Sequence, residues 1–313
     1  MNGLCSKSGG ASIGGVDESS RRDRSIVVGG GRVLCFAEWG DPAGFPVFSL
    51  HGTPGGRLNR HPDESKYAVA GARVITYDRP GYGSSSRDPG RSVVDCVHDV
   101  AAIADALGIE QFAVTGGSGG GPHSLAVAAR LGARVVRARC DVGVAPFGVE
   151  GLDFFEGMDP LNVAEFSWAI EGEHRLVPEL ERELREMGER VAQDPSKLLG
   201  DNWALDESDR AVLSRPDVAV VIKEAIEDLV RGGVWGWVDD DLAFTKPWGF
   251  DLAEIAVPVE VRYGVRDVLV PAAHGAWLGR KVPGARVVVE ESEGHLGDPD
   301  KIIEETRWLV TGE

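Results

Sequence analysis

What the chain lacks narrows it first. Its 313 residues contain no long uninterrupted apolar run, which argues against a bilayer-spanning helix and against a membrane as partner. The opening two dozen residues are rich in Gly and Ser with mixed charge, and they hold no apolar stretch of the secretory-signal kind. Residues 1–24 are therefore expected to be a disordered tail or an added leader outside the fold. Cysteine is scarce: Cys5, Cys35, Cys96 and Cys140 are widely scattered and show no CxxC spacing. That pattern argues against a disulfide framework and against a zinc site, and it points to a reducing compartment, the cytoplasm. Basic residues are in deficit, with 33 Lys plus Arg against 50 Asp plus Glu and a net charge of −17. Nucleic acid needs a basic surface, so it is not expected as a partner. No metal-ligand cluster, phosphate-binding glycine loop or internal repeat is seen, so no cofactor is expected and the partner is a small-molecule substrate.

What the chain has is an apolar fraction of 42 %, ample for a buried core, and one pentapeptide of unusual meaning. Gly116-Gly117-Ser118-Gly119-Gly120 follows the β-rich run Gln111-Phe112-Ala113-Val114-Thr115 and precedes an Ala-rich segment, 122–129, of good helix propensity. A G-x-S-x-G sequence between a strand and a helix reads as a nucleophile elbow. The serine sits on a strained turn, and the glycines remove Cβ atoms that would collide with the strand and helix around it. Ser118 Oγ is then exposed above the sheet, and the Gly119 N–H points to where an oxyanion would form. A flexible Gly-Ser linker is the plain alternative for the pentapeptide alone.

Two further segments stand in a telling order. The hydrophobic run Pro46-Val47-Phe48-Ser49-Leu50 ends in His51-Gly52-Thr53-Pro54-Gly55, and the strand-like stretch 72–78 closes with Arg79-Pro80-Gly81-Tyr82-Gly83-Ser84-Ser85. With the elbow, these resemble the α/β-hydrolase family, in the branch with an HGxPG loop and a DRPGYGSS turn that includes proline iminopeptidases, haloperoxidase-like esterases and many carboxylesterases. The resemblance covers roughly residues 30–310, with the middle matched least. It implies an α/β fold: a mostly parallel sheet with helices on both faces. It also makes the backbone N–H of Thr53 the second oxyanion donor, with His51 a structural residue of the loop and Arg79 an internal pairing residue.

In such enzymes the acid and then the base follow the serine. The strand-like run 257–264 is followed by Val265-Arg266-Asp267-Val268-Leu269-Val270-Pro271, and the family resemblance makes Asp267 the acid that orients the imidazole and stabilises its protonated form. Asp141, closing the strand-like run 135–142, is the rival, since some lineages draw their carboxylate from that strand. After a last alternating strand, 286–290, the pair Gly294-His295 looks like the family's catalytic histidine, which would take the proton from Ser118 and pass it to the leaving group. Among the other histidines, His98 and His274 fall on expected helices, His123 lies on the helix leading away from the serine, and His174 matches no expected catalytic loop.

Charge marks an insertion. Residues 150–250 carry 24 acidic against 10 basic side chains, a net −14 of the whole chain's −17. Core-like sequence runs out at Pro146 and resumes near Trp248, and helical patterns lie between, over 177–192 and 216–231. A helical cap over 147–247 is expected to sit above the serine, flanked by core segments 25–146 and 248–313. Its charges are read mainly as solvated faces, since Glu and Arg alternate at helix spacing between 179 and 189. Five of the eight tryptophans, Trp168, Trp203, Trp235, Trp237 and Trp248, lie within residues 150–250, packing cap on core or lining an apolar pocket.

The resulting expectation is a cofactor-free serine hydrolase, foremost a carboxylesterase, with Ser118, Asp267 and His295 as the triad. An aminopeptidase of the iminopeptidase type is the nearest alternative, weakened by HGTPG in place of HGGPG and by the absence of a bulky residue after the serine. A non-catalytic ligand-binding or biosynthetic-complex protein on the same fold is the alternative of another class.

Overall fold

The apolar runs form strands. In the computed structural model, which describes residues 23–313, these are β1 (Arg24–Val27), β2 (Val33–Gly40), β3 (Phe45–Leu50), β4 (Ala72–Tyr77), β5 (Phe112–Gly117), β6 (Val135–Asp141), β7 (Val259–Gly264) and β8 (Arg286–Glu290). They make one sheet in the order β1-β2-β4-β3-β5-β6-β7-β8. β2 runs antiparallel to both β1 and β4, and every pairing from β4 across to β8 is parallel. The expected tail lies outside the described residues except at its end. There Arg24 opens β1, opposite Phe36, instead of belonging to a tail.

Among the described residues ten α-helices accompany the strands, the last following β8: α1 (Ser65–Val69), α2 (Cys96–Ala106), α3 (Gly120–Arg130), α4 (Pro160–Glu171), α5 (Glu173–Gln193), α6 (Glu207–Leu213), α7 (Pro216–Gly232), α8 (Trp235–Phe244), α9 (Ala272–Lys281) and α10 (Ile302–Thr311). Strand side chains alternate between two faces, and each face finds helices to bury it. Leu34, Phe36, Phe48, Ile75, Phe112 and Val114 pack with α2, α3 and α9. Ala37, Trp39, Val47, Val74 and Ala113 pack instead with Tyr67 of α1 and Trp308 and Leu309 of α10. Helices therefore cover both faces of a mostly parallel sheet.

The five helices α4 to α8 all lie between β6 and β7. α5 buries Leu176, Leu180, Leu184, Met187 and Val191, a stripe at three- and four-residue spacing that leaves most of its Glu and Arg residues on the other faces of the helix. This stripe meets Ile226 and Leu229 of α7 and Trp237 and Val238 of α8, and Tyr82 of the core inserts into the same cluster. A second hydrophobic core thus forms among these helices, while Phe166 of α4 and Ala243 and Phe244 of α8 pack into the core of the sheet itself. At the entry to α4, the Asp159 carboxylate accepts the Leu161 N–H at 2.8 Å and Pro160 takes the first helical position, a strong start signal.

The cysteine reading needs correction. Cys35, buried on β2, is disulfide-bonded, while Cys96 and Cys140 are free and buried. Scatter along the sequence says nothing about proximity in the fold, and the cysteine argument for a reducing compartment falls with this bond. Among the described residues no helix is long and apolar enough to cross a membrane.

Candidate active site

β5 runs straight into α3, and Ser118 sits at the turn with φ 54°, in the left-handed region where a side chain is strained. Its N–H donates to the Asp141 carbonyl at 2.9 Å, and its own carbonyl accepts the Gly121 N–H at 2.9 Å. Gly116 and Gly120 are sterically required. A Cβ on Gly116 would lie 2.1 Å from the Gly120 carbonyl oxygen, and one on Gly120 would lie 2.1 Å from that of Leu50. The strain is held in place by packing on both sides.

The loop after β3 comes to rest against this turn. A Cβ on Gly52 would stand 3.4 Å from Ser118 Cβ, and one on Gly119 would stand 2.3 Å from Thr53 Oγ1 and 3.0 Å from Phe244. Gly119 therefore has no room for a side chain. Thr53 Oγ1 donates to Asp240 Oδ2 at 2.7 Å and accepts from Arg79 Nη2 at 3.1 Å. Arg79, wholly buried, also donates to the carbonyls of His51 and Gly52 and pairs with Asp240 at 2.6 Å. Burial alone would raise the Asp240 carboxyl, yet Arg79 and Arg91 hold it well below its ordinary range. The loop that ends at Thr53 is thus fixed by an arginine from the turn after β4 and an aspartate from α8.

Both ring nitrogens of His51 are engaged with backbone. Its Nε2 accepts the Arg79 N–H at 3.2 Å, so Nδ1 carries the proton and donates to the Gly52 carbonyl at 2.7 Å. Burial, with Arg79 adding to it, keeps the imidazole well below 6.5 and neutral. His123 and His274 are also buried and bonded to backbone, the first to the Gly119 carbonyl and the second between the Ala145 N–H and the Phe154 carbonyl.

The acid and base candidates meet. His295 Nδ1 lies 2.7 Å from Asp267 Oδ2, and Asp267 Oδ1 accepts the N–H groups of Leu269 at 2.8 Å and Val270 at 2.9 Å. With Nδ1–H committed to the carboxylate, Nε2 is the basic nitrogen. Burial would lower this imidazole, but Asp267, and after it Asp209, hold it above 6.5. Ser118 and His295 open onto the same cavity, with no direct hydrogen bond between them among the described residues. Asp141 is engaged elsewhere. Its Oδ2 accepts from Thr115 Oγ1 at 3.0 Å and pairs with Arg139 at 2.8 Å, away from His295.

That cavity encloses about 280 Å³, and its walls include Thr53, Phe166, Met187, Trp237 and Phe244. A second cavity, about 450 Å³, reaches His295 as well and contains Asp141. The reading of the acidic segment as solvated faces holds only in part. Glu179, Arg175 and Arg182 do pair along exposed α5. Glu165, Glu183 and Asp241, however, line the cavity that holds Ser118. Glu165 and Asp241 are within hydrogen-bonding reach of each other, and burial lifts Glu165 to about 7 and Asp241 well above its usual range. Each carboxyl's charge also opposes ionisation of the other. Among the described residues no group of three or more His, Cys, Asp or Glu has the geometry to hold a metal ion.

Two aspartates at the site carry no sequence signal. Asp240 serves the Thr53 loop, and Asp209, buried on α6, accepts the N–H of His295 at 3.1 Å and of Leu296 at 2.7 Å. Each partner lies more than eighty residues away.

Comparison with known proteins agrees with this geometry. The model of the α/β hydrolase fold family matches residues 46–150. The uncharacterized hydrolase YcgS of Bacillus subtilis is 32 % identical over 300 residues, covering 93 % of this chain and 98 % of that protein. A proline iminopeptidase of Xanthomonas citri is 35 % identical, but over 114 residues only, so the match spans about a third of either protein (34 % of each). Among solved structures, a thermophilic esterase of Thermogutta terrifontis superposes with a TM-score of 0.63 at 22 % identity, over 93 % of this chain and all of that one. An elbow serine, a loop packed against it and an Asp–His pair at the far end of a mostly parallel sheet accord with these matches: the chain belongs to the α/β-hydrolase family.

Proposed function

We propose that this protein is a cofactor-independent serine hydrolase that cleaves small carboxylic esters through an acyl-enzyme on Ser118. The observation that carries the reading is the 2.7 Å Asp267–His295 pair opening onto the same cavity as a serine held at φ 54°. In this reading His295 Nε2 takes the hydroxyl proton as Ser118 Oγ attacks the ester carbonyl. The N–H groups of Thr53 and Gly119 receive the developing oxyanion. The protonated imidazole, balanced by Asp267, then gives its proton to the departing alcohol, and water repeats the sequence to release the acid. Helices α4 to α8 act as a cap over the serine, excluding bulk water and presenting a mostly apolar wall to the acyl group.

A second reading is favoured by one observation. Glu165, Glu183 and Asp241 gather on the wall of that cavity, where they could hold a cationic amine and make an aminopeptidase of the iminopeptidase type. A panel of short p-nitrophenyl esters set against prolyl and alanyl naphthylamides separates the two. Preference for the esters is expected, and strong preference for substrates with a free amine would give the second reading the site. Ser118→Ala should abolish both turnover and fluorophosphonate labelling, and full labelling of this variant would remove Ser118 from its role.

A further inference from the structure

The loop that carries His295 is held from above. Three successive backbone N–H groups, those of Gly294, His295 and Leu296, donate to side chains of two neighbouring α6 residues: Ser208 Oγ at 3.0 Å, Asp209 Oδ2 at 3.1 Å and Asp209 Oδ1 at 2.7 Å. Asp209 is 1 % exposed, so its carboxylate is removed from water and depends on these donors. Gly294 makes the approach possible, because a Cβ there would stand 2.2 Å from Asp209 Oδ2. The start of α6 is itself anchored, as Asp206 caps it by accepting from the Ser208 N–H at 2.9 Å. The polar clamp therefore joins the helical segment between β6 and β7 to a loop at the far end of the sheet.

We infer that Asp209 is a positioning residue for the histidine, fixing the backbone on which His295 turns and placing a negative charge behind the imidazole. The inference rests on the hydrolase reading for its kinetic consequence, but not for its structural one. The charged groups around His295 leave these roles to two carboxylates. Asp267 meets the ring from the loop after β7, and Asp209 meets the backbone that carries the ring from α6. Arg266, beside Asp267, is paired with Asp206 at 3.7 Å, and Glu293, on the histidine's own loop, is paired with Lys301 at 2.5 Å. A backbone clamp alone would fix position, whereas a charged clamp also favours the protonated ring.

Two substitutions take these effects apart. Asp209→Asn keeps the shape, removes the charge and turns an amide N–H toward a backbone donor. It should lower kcat by about 10- to 100-fold with little change in KM, since small displacements of a base are costly. It should also move the imidazole titration of His295, followed by NMR without substrate, downward by about half a unit. Ser208→Ala loses one neutral acceptor, and should lower kcat less while leaving that titration in place. Unchanged kcat and unchanged titration in folded Asp209→Asn would overturn the inference, even if its Tm fell. If that variant does not fold, Ser208→Ala decides: reduced kcat at normal Tm supports the clamp, and wild-type kcat removes it. A wild-type protein without esterase activity would count against the hydrolase reading alone, because the NMR titration of Asp209→Asn still tests the charge behind His295.

Discussion

At the scale of single residues, the site divides its acids by environment. Asp267 spends one oxygen on two backbone N–H groups and the other on His295, so its carboxylate cannot turn away from the ring. Asp141 spends its side chain on Thr115 and Arg139. Asp267→Asn should then reduce kcat by about 10³- to 10⁴-fold through loss of the correct tautomer, while Asp141→Asn changes it far less; the reverse ranking in steady-state assays would move the acid to β6. The pH dependence has a definite sign. The base must be neutral to accept the serine proton, and His295 is held above 6.5, so kcat/KM should rise with pH through a midpoint above 6.5. The same shift stabilises the folded chain below the unfolded imidazole's pKa of 6.5, and that contribution is lost as pH rises through the folded value. An acid limb centred below 6.5 would contradict this assignment. Ser118, His295, Asp267 and Thr53 are singled out in the sequence because each stands in a short motif that resembles the family's, and the fold brings Asp267 and His295 to 2.7 Å. Asp209 and Asp240 are not, because their partners arrive from other elements and an acidic helix offers many aspartates of equal appearance.

At the scale of elements, legibility follows how far local pattern determines local structure. The amphipathic stripe of α5 and the proline at the start of α7 announce those helices, and both lie within a few residues of the expected ranges. β2 gives no such announcement. It is buried on both faces, so VLCFAEWG shows no alternation, and the Glu38 in its middle pairs with Arg73 and, at 3.4 Å, with Arg24, which sequence does not connect to it. The strand–turn–helix of the elbow is the most constrained element. Gly120→Ala should lower stability by roughly 1–3 kcal/mol or prevent folding, because the added methyl meets the backbone carbonyl of Leu50 and neither side can yield. Gly117→Ala, whose Cβ would lie 4.0 Å from its nearest neighbour, should melt close to the wild-type temperature. Equal thermal shifts for the two would mean that the elbow is less tightly packed than its geometry.

At the scale of the whole molecule, one buried carboxylate ties the two hydrophobic cores together. Asp240 on α8 pairs with Arg79 and Arg91 at 2.6 Å each and accepts from Tyr82 at 2.8 Å and Thr53 at 2.7 Å. Asp240→Ala should destabilise by about 3–5 kcal/mol in denaturant titrations, since it strands two buried guanidiniums. Glu227→Gln, at an exposed 4.0 Å pair with Lys223, should leave the midpoint almost unmoved. Comparable losses would show that the buried network relaxes or hydrates on losing its centre.

The two aspartates that descend from α6 and α8 also limit how this family could trade parts. Lid exchange between relatives is an obvious route to new specificity, with crossovers falling in the loops around 147 and 247. In this protein, the recipient sheet presents two buried arginines and a histidine loop with three backbone donors, all awaiting carboxylates and a hydroxyl from the incoming helices. A helical segment from a donor lacking acids at the positions equivalent to 209 and 240 would leave two buried guanidiniums and two backbone N–H groups of the His295 loop without partners. The segment and the sheet are thus matched to each other by buried polar pairs as well as by apolar packing.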